Sequence, residues 1–133
     1  MRVVLDTNVL VSGVLSPHGP PGRLVDLVLA GDLGLVVDDR VLSEYAEVLR
    51  RPRFGLPERE VEVLMRHLRD VGEGVTARPL AVTLPDEDDL PFLEVAAAGA
   101  ATLVTGNARH FRPVRGRHAV RVLSPRQALD AVV

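Results

Sequence analysis

The chain has no cysteine and no tryptophan, and only one tyrosine and three phenylalanines among its 133 residues. Without thiols it can form no disulfide, thiolate zinc site or cysteine nucleophile, which suits a reducing cytoplasm. Lysine is missing as well: all 16 basic residues are arginine. That excludes Schiff-base chemistry, phosphate-loop lysines and lysine general bases, and genomic base composition is explanation enough for the bias. So few aromatic rings leave little for extensive readout of single strands by stacking. No apolar run approaches the roughly 18 residues that cross a bilayer. Asp6 and Asn8 also break the N-terminal run MRVVLDTNVLVSGVL before a secretory core could form, so no membrane association and a cytoplasmic location are expected.

What is present suits one soluble domain over residues 1–133. The chain is 47% hydrophobic and 26% charged with a net charge of −2. At this length about two-thirds of the unfolded surface can be buried. Along the chain, apolar runs alternate with helical periodicity. Val3–Leu5, with β-branched Val9 and Val11 beside it, reads as a first strand, followed by a breaker cluster at Pro17, Gly19, Pro20, Pro21 and Gly22. A helix is expected over Arg23–Ala30, a strand over Leu33–Val37, and helices over Val41–Arg50 and Glu58–Val71. Further strands are expected near Leu80–Leu84, at Thr102–Thr105 and at Val120–Leu123, with a helix from Asp88 to Ala98. Ser124–Pro125 is a good cap and first turn for a last helix. Short apolar strands separated by helices imply a parallel sheet covered on both faces. In such sheets ligands bind beyond the carboxyl ends of the strands.

Acidic residues at those ends therefore draw attention. Asp6 directly follows Val3–Leu5, Glu44 lies on the polar side of the helix over 41–50, and Asp86, Glu87, Asp88 and Asp89 precede an apolar helix. Each has an ordinary reading alone: a turn residue, a solvated glutamate, a helix cap. Asn107, after Thr105 and Gly106, reads equally as a turn asparagine. Together, carboxylates from three separate segments and an amide from a fourth form what a magnesium or manganese site needs. These hard cations take oxygen ligands, with water and substrate phosphate completing the shell. A receiver domain is another small parallel α/β fold with strand-end acids, but it needs a lysine after its last functional strand, and this chain has none.

The segments VVLDTNVLVSG, VLSEYAEVLRRPRF, PDEDDLPFLEVAAAGAATLVTGNARHF and VLSPRQAL together resemble the PIN-domain nucleases, and within them the VapC-like toxins of bacterial toxin–antitoxin pairs. The resemblance covers essentially the whole chain. It implies a three-layer α/β/α sandwich around a parallel sheet, and Mg²⁺- or Mn²⁺-dependent ribonuclease activity. By that resemblance Asp6, Glu44 and Asp89 are the catalytic, metal-binding acids, with Asp88 the rival for the third position. Thr7 and Asn8 match the polar pair beside the first acid, and Thr7 or Thr105 would bond a ligand carboxylate. The family's fourth aspartate is replaced here by Asn107, which removes a charge and bears on the number of metal ions.

An acidic site must still attract a polyanion. Arg50, Arg51 and Arg53 close the helix that carries Glu44, while Arg109, Arg112, Arg115, Arg117 and Arg121, with His110 and His118, follow Asn107. Of these Arg50, Arg51, Arg109 and Arg112 are the expected RNA contacts. The resemblance also implies an antitoxin partner and a homodimer. Two other readings stand beside it: a PIN fold weakened in catalysis that serves as an RNA- or protein-binding module, which Asn107 keeps open, and a nuclease with no antitoxin.

Overall fold

A computed structural model describes residues 1–114 and 118–132. Val3, Val4 and Leu5 form the centre of strand β1 (Arg2–Leu5), and all three are fully buried. A strand apolar on both faces must be covered on both, and the architecture provides this. Five parallel strands lie in the order β3-β2-β1-β4-β5, with β2 at Gly34–Val37, β3 at Glu73–Gly74, β4 at Thr102–Val104 and β5 at Val122–Leu123. The chain steps outward from β1 to β3, returns across the sheet to β4, and steps outward again to β5. Parallel crossovers are right-handed, so this reversal sends the intervening helices to opposite faces. Helices α1 (Thr7–Leu15), α2 (Pro20–Leu29), α3 (Asp39–Leu49) and α4 (Glu58–Val71) precede the reversal, and α5 (Leu90–Ala98) follows β3 and packs on β1, β2 and β4. The last helix, α6 (Pro125–Val132), returns to pack on α2. The expected α/β sandwich is the observed fold.

Three local expectations are corrected. Val9 and Val11 belong to α1, not to strand structure: the Asp6 carbonyl accepts from the N–H groups of Val9 and Leu10 at 2.9 and 3.2 Å, so the chain turns helical directly after Asp6. Burial of Val9, Leu10 and Val11 overrides the strand preference of two β-branched residues. The supposed breaker cluster opens α2, because Pro20 and Pro21 occupy first-turn positions where a missing N–H costs nothing. Here α1 and α2 touch so closely that a Cβ on Gly13 would stand 2.7 Å from the Pro21 carbonyl oxygen.

The third correction concerns Leu80–Leu84, which forms no strand. The edge of the sheet is taken instead by Glu73–Gly74 immediately after α4, with the Val75 N–H still bonded to the Val37 carbonyl at 3.0 Å. Leu80, Val82 and Leu84 do turn inward while Ala81 and Thr83 face solvent, so the alternation is real. It is satisfied without a neighbouring strand. The other elements fall within a few residues of their expected places. Ser124 caps α6 reciprocally: its hydroxyl accepts from the Gln127 N–H at 3.1 Å, and the Gln127 amide oxygen accepts from the Ser124 N–H at 2.9 Å. No helix among the described residues is long and apolar enough to cross a membrane.

Candidate active site

Strand order reverses between β1 and β4, the point at which open parallel sheets form a crevice beyond the carboxyl ends of their strands. Asp6 sits there, buried, with its N–H bonded to the Val104 carbonyl at 2.9 Å. It occupies the cap position of α1, yet its carboxylate makes no capping bond. The side chain instead accepts from the Thr105 hydroxyl at 2.7 Å, and that hydroxyl accepts from the Asn107 N–H at 3.0 Å. Thr105 is completely buried, so this relay from the β4 end onto Asp6 is shielded from water.

Glu44 comes from α3, which starts where β2 ends. Asp38 caps that helix by accepting from the Val41 N–H at 3.0 Å, and two turns later Glu44 is half-buried. The hydroxyl of buried Thr7, the first residue of α1, donates to the Glu44 carboxylate. The next residue on α3, Tyr45, is fully buried and donates its hydroxyl to the Leu5 carbonyl. Burial, with the charges of Asp6 and Glu44, pushes the Tyr45 phenol well above its ordinary range and keeps it neutral.

Asp89 closes the 3₁₀ turn Glu87–Asp89 that leads into α5. The capping in this turn falls to Asp86, which accepts from the Asp88 N–H at 2.9 Å, and Asp89 makes no such bond. Asp88 is exposed, whereas Asp89 is half-buried and lies 3.2 Å from Nδ1 of His110. The Asp89 contact of His110 is one feature that sequence reasoning missed. A turn starting at Asn107, whose carbonyl accepts from the His110 N–H at 2.9 Å, brings the ring there, and no sequence spacing signals it.

The acids crowd one another. Burial raises the carboxyl pKa of Asp6, the Thr105 bond opposes the rise, and the charge of Asp89 adds to it. Burial likewise raises Glu44, against the Thr7 bond and with the charges of Asp6 and Asp88. Asp89 is raised by burial, lowered by the His110 bond, and raised again by Asp86 and Glu44. Such mutual repulsion is what a cation relieves. The side chains do not close into a three-ligand cage, and no group of three His, Asp or Glu among the described residues is arranged to hold an ion by itself. The donor set still fits magnesium or manganese in kind. It is all oxygen, and such ions commonly take one or two carboxylates and fill the remaining positions with water and phosphate.

The remaining candidates divide. Asn8 is exposed on the first turn of α1, and Asn107 is half-buried with its backbone engaged in the relay. Arg50 and Arg51 are both ion-paired, to Glu58 at 2.9 Å and to Glu47 at 3.0 Å, so a phosphate would have to displace a carboxylate at either. Arg109 and Arg112 are exposed on the 3₁₀ segment Ala108–Val114. Arg115 and Arg117 lie outside the described residues.

An ion pair close by, buried on its acidic side, was not expected. Glu94 on α5 is 5% exposed; one carboxylate oxygen accepts from Arg40 on α3 at 2.7 Å and the other from the Leu80 N–H at 2.7 Å. Arg40 also pairs with Asp38 at 2.9 Å. The pair ties α3, which carries Glu44, to α5, which Asp89 introduces.

Comparison with known proteins agrees with this frame. An uncharacterized protein of Methanocaldococcus jannaschii is 27% identical over 111 residues, which span 80% of this chain and 71% of that protein. The crystal structure of VapBC2 from Rickettsia felis, bound to a DNA fragment from their promoter, contains a chain of the same fold. It superposes with a TM-score of 0.62 over 93% of this chain and 98% of that one, at 17% identity. The family model for the PIN domain matches residues 2–109, a span that contains β1, α3, β4 and every acid of the crevice. The chain belongs to the PIN-domain family.

Proposed function

We propose that this protein is a metal-dependent endoribonuclease that hydrolyses RNA phosphodiester bonds, with Asp6, Glu44 and Asp89 as its cation-binding acids. The observation that carries the reading is the position of these three acids about the strand-order reversal, with Asp6 bonded by Thr105, Glu44 by Thr7 and Asp89 lying beside His110; burial raises the pKa of each. A bound Mg²⁺ or Mn²⁺ supplies an acidified water and neutralises charge developing on the phosphate. The protein's own part is orientation. Thr105 holds one oxygen of Asp6 and Thr7 holds Glu44, so each carboxylate offers its free lone pairs in a fixed direction. His110 does the same for Asp89. Arg109 and Arg112, exposed beyond Asn107, would meet the substrate backbone. In-line attack by water leaves a 5′-phosphate and a 3′-hydroxyl.

A role as the toxin of a toxin–antitoxin pair, with an antitoxin partner, is supported by the VapC-like motifs and by the shared fold with a chain of the VapBC2 complex. A homodimeric state and a cytoplasmic location belong to the same reading, the first resting on the family resemblance alone and the second on the composition. The second reading, a weakened PIN fold that only binds RNA or protein, draws on Asn107 at the position of a fourth acid. Incubating end-labelled single-stranded RNA with the purified protein separates the two. Cleavage is expected with Mg²⁺ or Mn²⁺ and none in EDTA, with Asp6→Asn inactive in either. Cleavage undiminished by chelator removes the metal mechanism, and RNA left intact at every metal concentration favours the binding module.

A further inference from the structure

We propose that Tyr45 is a positioning residue of the acidic crevice: its hydroxyl, closed on the Leu5 carbonyl, fixes the separation of Glu44 from Asp6 and so sets the affinity for a divalent cation. The inference rests on the reading of those two acids as cation ligands. Its starting point is the uneven length of the two ladders on β1. On the β4 side, pairing continues through Val3, Val4 and Leu5, and the Asp6 N–H still bonds the Val104 carbonyl at 2.9 Å. On the β2 side it covers only Arg2 and Val3, paired with Gly34 and Leu35. Backbone groups alternate in direction along a strand, so the Leu5 carbonyl faces the β2 side, where the ladder has already ended. A buried carbonyl without a partner is costly, and Tyr45 supplies the missing donor from a helix.

The bond therefore joins β1 and α3 at the one level where the sheet no longer does. Asp6 is the residue after Leu5, and Glu44 is the residue before Tyr45, so each acid stands next to one end of this strut. The tyrosine ring is itself held, with the Phe92 ring of α5 tilted 40° against it at 6.3 Å between centroids. Thr7 and Thr105 bond individual carboxylates, whereas Tyr45 bonds the Leu5 carbonyl and so acts on the distance between the elements that carry them.

Tyr45→Phe removes one oxygen and keeps the ring. The test titrates Mn²⁺ into metal-free protein and follows free Mn²⁺ by electron paramagnetic resonance, for wild type, Tyr45→Phe and Val28→Ala. Val28 is a buried core residue of α2 that serves as the control for general loss of packing. Tyr45→Phe is expected to weaken Mn²⁺ binding about tenfold, the lower end of the loss seen when a direct hydrogen-bond partner of a metal ligand is removed, because Tyr45 acts at one remove from the ligands. Val28→Ala is expected to lower the melting temperature and leave the affinity within about twofold. Wild-type affinity in Tyr45→Phe, whatever its melting temperature, overturns the proposal and leaves Tyr45 a core residue. Equal weakening in both variants overturns it too. Failure of the wild type to take up Mn²⁺ is a separate result: it removes the cation reading, and this inference falls with it.

Discussion

Replacing Arg40 with methionine tests whether the tie between α3 and α5 is held by its ion pair. Methionine keeps much of the arginine's apolar stem and removes the guanidinium, leaving one oxygen of Glu94 without a partner while the Leu80 N–H retains the other. Breaking a fully buried pair from one side costs about 3–5 kcal/mol, and an exposed pair is worth about 0–1 kcal/mol. Glu94 is almost wholly buried, but the Arg40 side chain is 46% exposed, so water can follow the lost guanidinium to the carboxylate. The expected loss lies between those limits, at about 2 kcal/mol. For a domain of this size that is a fall of about 8 °C in melting temperature. Adding Glu94→Gln should recover much of it, since the amide oxygen still accepts from Leu80 and no charge remains buried. Urea denaturation of wild type, both single variants and the double variant closes the cycle. A loss below about 0.5 kcal/mol in Arg40→Met, or a double variant no more stable than Arg40→Met, refutes the reasoning.

Other perturbations reach the crevice itself. Because the carboxyls of Asp6, Glu44 and Asp89 are raised, the folded metal-free protein holds their protons more tightly than the unfolded chain, and their contribution to stability falls as pH climbs from about 4 through the raised values. Asp6→Asn in EDTA should therefore melt above wild type at pH 7, with the margin shrinking toward pH 4; a margin constant across that range contradicts the crowding. Asn107→Asp should tighten Mn²⁺ binding and lower the metal-free melting temperature near neutral pH, a loss that acid or Mn²⁺ restores. Equal Mn²⁺ affinities would return Asn107 to the turn. Asp89→Asn should cost orders of magnitude in RNA cleavage, whereas exposed Asp88→Asn should change it by no more than about threefold; equal damage would place both in the site.

Much of the frame was legible before any coordinates. Val3–Leu5 followed by Asp6 places an acid at a strand end because an apolar triplet and a polar stop need no tertiary information. The helix over Glu58–Val71 has the same character, with Val61, Met65 and Leu68 buried on one stripe. What escaped depended on contacts far apart in sequence. Pro20–Pro21 reads as a breaker until a helix is seen to start there, and the inward alternation at Leu80, Val82 and Leu84 does not reveal whether its neighbour is a strand. In the site, residue types and positions drew attention to Asp6, Glu44 and the acidic run at residues 86–89, from which the family resemblance singled out Asp89 with Asp88 as rival. No spacing rule, however, pairs His110 with Asp89, Tyr45 with Leu5 or Arg40 with Glu94. Such bonds are decided by packing, at separations of 21, 40 and 54 residues. Arg50 and Arg51 show the opposite limit, since their side chains satisfy neighbouring glutamates that the sequence displayed but did not assign to them.

The pairing of β1 with β4 has a consequence in time. The bond from Thr105 to Asp6 spans 99 residues, and β1 finds its β4 neighbour only when Thr102–Val104 exists. A growing chain emerging amino-end first carries Asp6 and Glu44 early, but it cannot hold Asp6 in place until Thr102–Thr105 have been made. Closing so long a loop is entropically costly and slow, so the crevice is among the last features to assemble. The acids of this chain therefore wait for β4, and an interrupted product ending before it carries Asp6, Glu44 and Asp89 without the strand that holds the first of them.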